Sequence, residues 1–263
     1  MKMTRRNFVT TTVTTAAAAG FLKPAAAAAS NPMYIELQYV YLRNGTQPER
    51  ANAFFPKHFL PAAQRAGASP VGMFNAVLAP QAPFFLVLLG YPSFAAIEAG
   101  RSAMTADAEF QKAAAEYYSG SEPPFVRVES SILKTFDGFP SVKPPEGAAD
   151  RPPRIFELRT YESNNFLALR KKVKMFNDGE AAIFQRLGMA PVFFGETIVG
   201  AKQPNLTYML SFENLAAREQ LWSKFSADPE WRKLRATPGL SDAEIVSNVS
   251  NMMVRPSAGS QIR

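Results

Sequence analysis

The chain reads as an α+β protein of two tandem ferredoxin-like units, each β-α-β-β-α-β, packed sheet to sheet as an intramolecular dimeric α/β-barrel. Three observations predict this. Sliding the sequence by 121 residues sets Ile35-Glu36-Leu37 on Phe156-Glu157-Leu158, Gly67 on Gly188, Pro70-Val71 on Pro191-Val192 and Pro83 on Pro204. The same offset sets Asp107-Ala108-Glu109-Phe110 on Asp228-Pro229-Glu230-Trp231. Each copy then runs strand, helix, two strands, helix, strand. A four-stranded sheet with helices on one side leaves its other side bare, and a second copy in the same chain supplies the cover.

The elements follow in order. Residues 1–29 read as an export signal, with Lys2, Arg5 and Arg6 at the start, a weakly apolar stretch to Leu22 and small residues from Ala25 to Ala29. That stretch is too short and too rich in threonine to anchor in a bilayer, so no stable membrane insertion is expected. Arg5-Arg6 followed at one remove by Phe8 resembles the twin-arginine signal of bacteria, which implies a protein exported folded to the periplasm or beyond.

The first unit spans 34–136. Tyr34–Leu42 alternates, with Ile35, Leu37, Tyr39 and Tyr41 on one face and Glu36, Gln38 and Val40 on the other, as a half-buried strand does. A helix runs from Pro48 to Ala66, which Pro56 and Pro61 should kink or split. Strands follow at Val71–Leu78 and Phe84–Tyr91. Ser93 and Asp107 are placed to cap two helices, and Phe125–Leu133 closes the unit. Residues 137–153, with five prolines, read as a linker.

The second unit spans 154–255. Arg154–Tyr161 alternates as the first strand does. Leu169, Val173, Phe176, Ile183 and Leu187 recur at helical spacing, and Gly188 closes that helix. Val192–Val199, Leu206–Phe212 and Glu244–Val254 read as strands, with Asn214 and Asp228 as helix caps and Pro229 at a first helical position. Trp222 and Trp231 fall at apolar helix positions, and Arg218 reads as a surface ion-pair partner of Glu213. Residues 256–263 form a tail.

Composition limits the chemistry. There is no cysteine and a single histidine, His58, so thiol nucleophiles, disulfides and two-histidine metal sites are excluded. No metal and no cofactor is expected. Of the net charge of +7, residues 1–29 carry four, and no basic run is interleaved with aromatics, so nucleic acid is not expected as a partner. Arg170, Lys171, Lys172 and Lys174 read as a solvated helix face. Neither a P-loop nor a Gly-x-Ser-x-Gly nucleophile motif is present.

If the apolar face of each first strand packs on helices, Glu36, Gln38, Glu157, Arg159 and Tyr161 point into the barrel, and Arg127, Glu129 and Glu196 face it too. The expected ligand-binding set is Glu36, Glu157, Arg159, Tyr161, Glu196 and Tyr208. Two carboxylates there form an acid/base pair or, with Arg159 between them, a structural one.

Arg154-Ile155-Phe156-Glu157-Leu158-Arg159-Thr160-Tyr161, Asn214 to Glu219, and Asp228-Pro229-Glu230-Trp231 resemble the NIPSNAP family, a branch of the dimeric α/β-barrel superfamily. The likeness is strong over 154–255 and in register over 34–136. Phe194-Gly195-Glu196-Thr197 resembles its twin-arginine-exported tandem subgroup. Where many relatives carry His-Leu-Trp on the third strand, this chain reads Tyr208-Met209-Leu210, so no histidine-dependent role carries over. The resemblance implies a homo-oligomer and leaves two readings. One is a binding protein for a small, largely apolar molecule held in the barrel. The other is a cofactor-independent monooxygenase-like enzyme, or a lyase or isomerase of the same superfamily. A relative of this fold ligates haem through a helix histidine, whereas His58 reads here as a half-exposed helix residue.

Overall fold

The computed structural model describes residues 31–147 and 152–263, so the export signal read at 1–29 lies outside the described residues. The first repeat supplies β1 (Tyr34–Tyr41), α1 (Thr46–Phe54), a π-helical turn (Phe55–Phe59), α2 (Leu60–Arg65), β2 (Val71–Leu78), β3 (Phe84–Tyr91), α3 (Phe94–Ala106), α4 (Ala108–Tyr118) and β4 (Arg127–Thr135). The second supplies β5 (Ile155–Glu162), α5 (Phe166–Met175), a π-helical turn (Phe176–Glu180), α6 (Ala181–Arg186), β6 (Pro191–Val199), β7 (Asn205–Phe212), α7 (Leu215–Ala227), α8 (Pro229–Arg235), α9 (Asp242–Ile245) and β8 (Asn248–Pro256). The offset of 121 carries β1 onto β5, β3 onto β7, α3 onto α7 and β4 onto β8 residue for residue.

Helix ends follow from local chemistry. Ser93 accepts from the Ala96 amide at 3.1 Å and Asn214 from the Ala217 amide at 2.9 Å. Asp107 and Asp228 cap α4 and α8 in the same way. Gly67 and Gly188 follow α2 and α6 with φ of 91° and 82°, a conformation that favours a residue without a Cβ.

Two expectations need correction. The break in the first helix is not the work of Pro56 and Pro61, because the second repeat makes the same π-helical turn from Phe176-Asn177-Asp178-Gly179-Glu180, which contains no proline. Both turns instead set a phenylalanine on the sheet, Phe55 against Phe85 at 4.7 Å and Phe176 against Tyr208 at 5.3 Å. The last strand begins at Asn248 rather than Glu244, because Ser241 and Glu244 form a capping box that winds Asp242–Ile245 into a helical turn.

Among the described residues all neighbouring strands are antiparallel, and the eight close into one barrel in the order β1-β3-β2-β8-β5-β7-β6-β4. The two units thus join at their edges, β2 to β8 and β4 to β6, as well as facing each other. Three apolar clusters result. Helices and strands of the first repeat share one, around Phe54, Phe55, Phe85 and Val87. Those of the second share another, around Phe176, Phe184, Phe194 and Tyr208. The third mixes Ile35, Leu37, Leu86 and Leu88 with Phe156, Leu158, Phe193 and Met209 and takes nothing from a helix, so it is the barrel interior.

One end of the barrel is sealed. Beyond β4 the chain doubles back along β6, with Lys143 N donating to Val192 O at 2.8 Å and Val142 entering the interior. Beyond β8 it runs along β2, with Gln261 N donating to Val71 O at 3.0 Å and Ile262 fully buried. The opposite end, where β1, β2, β5 and β6 finish, is open. Among the described residues, no helix is long and apolar enough to cross a membrane.

Candidate functional site

None of the six side chains expected in the barrel enters it. Glu36, Glu157, Arg159, Tyr161, Glu196 and Tyr208 all lie on the helix side of the sheet, because the alternate positions Ile35, Leu37, Phe156 and Leu158 take the interior. The physical reason is partnership. The interior is enclosed by strands alone and is filled with apolar groups over most of its length. The helix side can be polar because helix side chains reach down to pair with the strand.

Glu157 is the centre of that pairing. Its carboxylate is fully buried and accepts from Arg159 Nη1 at 2.9 Å, Arg218 Nη2 at 2.6 Å, Arg218 Nε at 3.0 Å, Trp222 Nε1 at 2.8 Å and Asn251 Nδ2 at 3.1 Å. Burial alone would raise its pKa. The Arg218 hydrogen bond, the Arg159 charge and the Trp222 hydrogen bond outweigh burial and hold it below the ordinary value of 4.5. Arg159 lies over the Trp222 ring at 4.5 Å and donates to Tyr161 Oη at 3.3 Å. Tyr208 in turn donates to Tyr161 at 2.9 Å. Arg218 therefore pairs with Glu157, not with Glu213, and Trp222 is a half-buried donor rather than plain core.

Below this cluster, Lys172 is buried against Glu180 at 3.1 Å, ringed by Tyr161, Phe176 and Trp231. It is thus no part of a solvated basic face. The first repeat keeps a reduced version of the cluster. Glu36 accepts from Arg101 at 2.5 Å and from Gln38 at 2.8 Å. Glu196 joins neither group. It stands half-buried in register with Lys134 on β4 and Leu206 on β7.

A space that a ligand fits lies elsewhere. A cavity of about 340 Å³ opens at the unsealed end of the barrel. Its floor is Leu37, Leu133 and Met252, and its walls include Tyr39, Tyr41, Thr160, Thr197, Asn205 and Thr207. Arg127 and Glu129 do belong to this end, paired at 2.5 Å, with Arg127 3.9 Å over the Tyr41 ring.

The mouth is asymmetric across the repeat. Tyr39, Phe84, Leu86 and Ala76 of the first unit correspond to Thr160, Asn205, Thr207 and Thr197 of the second. On one side Tyr39, Tyr41 and Phe84 pack together with centroids 5.7–6.3 Å apart. On the other, Thr160 and Thr207 share a hydrogen bond of 2.8 Å, and Thr197 donates to Asn205 at 2.7 Å. Burial, then Tyr41, then Glu129 push the Tyr39 phenol further above its ordinary value of 10, which already keeps it protonated at neutral pH. Sequence reasoning missed these residues by assigning the Tyr39/Tyr41 face to the helices. The signal was present in the change from Ile35 and Leu37 to tyrosine at the end of β1, matched by threonine at the end of β5. Among the described residues, no group of histidines, aspartates and glutamates is placed to hold a metal ion.

Residues 156–261 match the NIPSNAP family model. Two solved structures align with nearly the whole chain. One is from Fusobacterium nucleatum, provisionally assigned as a monooxygenase, at 6% identity over 86% of this chain and 93% of that one, with a TM-score of 0.57. The other, from Lactobacillus acidophilus and assigned in the same provisional way, has 7% identity over 87% and 95%, with a TM-score of 0.57. At such identity the likeness is one of fold, and it extends to both repeats. A NIPSNAP family protein of Agrobacterium tumefaciens has 19% identity over 42% of this chain and 94% of its own, with a TM-score of 0.38. No curated protein matches the chain.

Proposed function

We propose that this chain, whose residues 156–261 form a NIPSNAP domain, holds a small, largely apolar molecule in the open mouth of its barrel. The observation that carries the reading is the cavity itself. It lies where the apolar interior gives way to hydroxyl and amide groups, which is the arrangement that binds a small molecule and fixes its orientation. Its volume of about 340 Å³ suits a ring-sized ligand. Leu78, Val128, Val199 and Val249 are exposed at the same end, and apolar molecules partition to such a rim. The protein meets this ligand in the periplasm or outside the cell if the Arg5-Arg6 signal is read as twin-arginine, and associates with further copies of itself.

The second reading, a cofactor-independent oxygenase, comes from the fold likeness to two proteins provisionally assigned as monooxygenases. The mouth favours binding over that chemistry, because the raised pKa of its half-buried Tyr39 keeps the phenol from acting as a base and its Glu129 is already paired with Arg127.

Native mass spectrometry of the protein purified from its own host tests the reading, with Ser250→Phe as the comparison. Ser250 lines the cavity opposite Thr160, so phenylalanine fills the mouth without touching the Glu157 cluster. A co-purifying small molecule carried by the wild type and lost from the variant, with melting unchanged, supports mouth binding. A molecule retained by the variant contradicts it.

A further inference from the structure

The hydrogen-bonding roles inside the mouth are unequal. Glu129, the cavity's one carboxylate, is occupied by Arg127. The Thr197 hydroxyl is spent on Asn205, whose amide is spent on Ala201 O at 3.0 Å. Thr160 and Thr207 bond to each other, which leaves one hydroxyl proton over. Against these stand Tyr39, Ser131, Ser250 and Lys202, which line the cavity and whose side-chain polar atoms make no hydrogen bond among the described residues. A lysine only donates, and this one has no ion-pair partner among the described residues. The mouth therefore holds free hydroxyls able to donate and, at its rim, the unpaired charge of the solvent-exposed Lys202.

The backbone at Lys202 adds a second, independent observation. Its φ of 61° is the only positive value at a non-glycine among the described residues. Glycine takes that conformation without strain, and a lysine held in it costs about 1 kcal/mol. Such strain concentrates at ligand-contacting turns. The matching position of the first repeat, Gln81, also reaches a mouth residue, accepting from Arg127 Nη2 at 2.9 Å. In both repeats this turn residue is turned toward the barrel opening.

We infer that the mouth takes a planar ring compound bearing one anionic group, a ring carboxylate being the simplest case, with the ring on the Tyr39 side and Lys202 as the counter-charge. This rests on the binding reading above and narrows its ligand class. Charge-assisted donors favour a carboxylate over its neutral amide, and the aromatic wall favours a flat apolar body.

Calorimetric titration of the protein with 4-hydroxybenzoate and with 4-hydroxybenzamide tests it, in the wild type and in Lys202→Gly. The acid binds the wild type about tenfold tighter than the amide, and more salt narrows the gap. In Lys202→Gly the two probes bind alike, while melting is unchanged or higher because glycine relieves the turn. Equal affinity of the two probes for the wild type overturns the inference, as does a preference that survives in Lys202→Gly, or failure of both probes to bind at millimolar concentration. Failure of the charge preference leaves the mouth reading standing, because the Ser250→Phe comparison decides that separately.

Discussion

The indole of Trp222 in α7 donates to the carboxylate of Glu157 in β5 across 2.8 Å, and 121 residues earlier Arg101 does the same for Glu36 across 2.5 Å. In each repeat a helix side chain thus pins a buried strand carboxylate to the layer above it. A carboxylate that accepts five hydrogen bonds, as Glu157 does, has no lone pair left for a substrate. The cluster that looks most like an active site in the sequence has the bonding of a structural fastening, and the proposed ligand site is the barrel mouth instead.

Glu157→Ala should cost about 3–5 kcal/mol of unfolding free energy, because it leaves Arg159 largely buried without a counter-ion and Arg218 with only the exposed Glu219. Glu157→Gln keeps the shape and should cost less. The folded-state pKa of Glu157 lies below its ordinary value of 4.5. Its contribution is therefore fully present above that value and is lost as pH falls through the folded-state pKa. Urea melts between pH 3 and pH 7 should show an acid loss of stability in the wild type that is shallower in Glu157→Gln.

Lys172 and Glu180 occupy the places that Ala51 and Phe59 fill in the first repeat. Burial pushes the Glu180 carboxyl up, and the Lys172 charge does not fully offset this. Lys172→Ala alone should destabilise by about 3–5 kcal/mol, since the carboxylate is then buried unpaired. The double replacement Lys172→Ala with Glu180→Phe copies the first repeat and should lie within about 1 kcal/mol of the wild type. Chemical denaturation of the three proteins gives the coupling directly. A double variant as unstable as the single one would show that the pair has a role its apolar counterpart cannot fill.

Ile262 closes the sealed end of the barrel from the last turn of chain, and the Ser260 hydroxyl accepts from the Met73 amide at 3.0 Å to hold it there. Ile262→Ala should cost about 2–5 kcal/mol in thermal or urea unfolding, as for a core isoleucine and unlike a residue of a free tail. A change under about 0.5 kcal/mol would mean the segment adds nothing to the barrel.

The Arg5-Arg6 pair carries the export reading. Replacement of both by lysine should leave the precursor in the cytoplasm, measured by fractionation and blotting. Normal export of that variant would exclude the twin-arginine route.

Much of the fold was legible because the chain repeats itself. A shared offset of 121 residues sets strand on strand, and Ser93, Asp107, Asn214 and Asp228 announce their helices by local hydrogen bonding. The choice of faces was not legible. Alternation in β1 and β5 separates Glu36 and Glu157 from Ile35 and Phe156, yet both faces are covered in a barrel wrapped by helices, and period alone does not say which cover is which. The answer depends on Arg101, Arg218 and Trp222, which lie 61–65 residues from the carboxylates they hold and leave no local trace. Tyr39 and Tyr41 were hidden by the same ambiguity.

The most direct measurement is a crystal structure of the protein with 4-hydroxybenzoate or its co-purified ligand bound. The account predicts density in the barrel mouth, with the ring beside Tyr39 and polar atoms toward Thr207 and Lys202. A ligand seated on the helix side against Glu157 and Trp222, with the mouth empty, would contradict it.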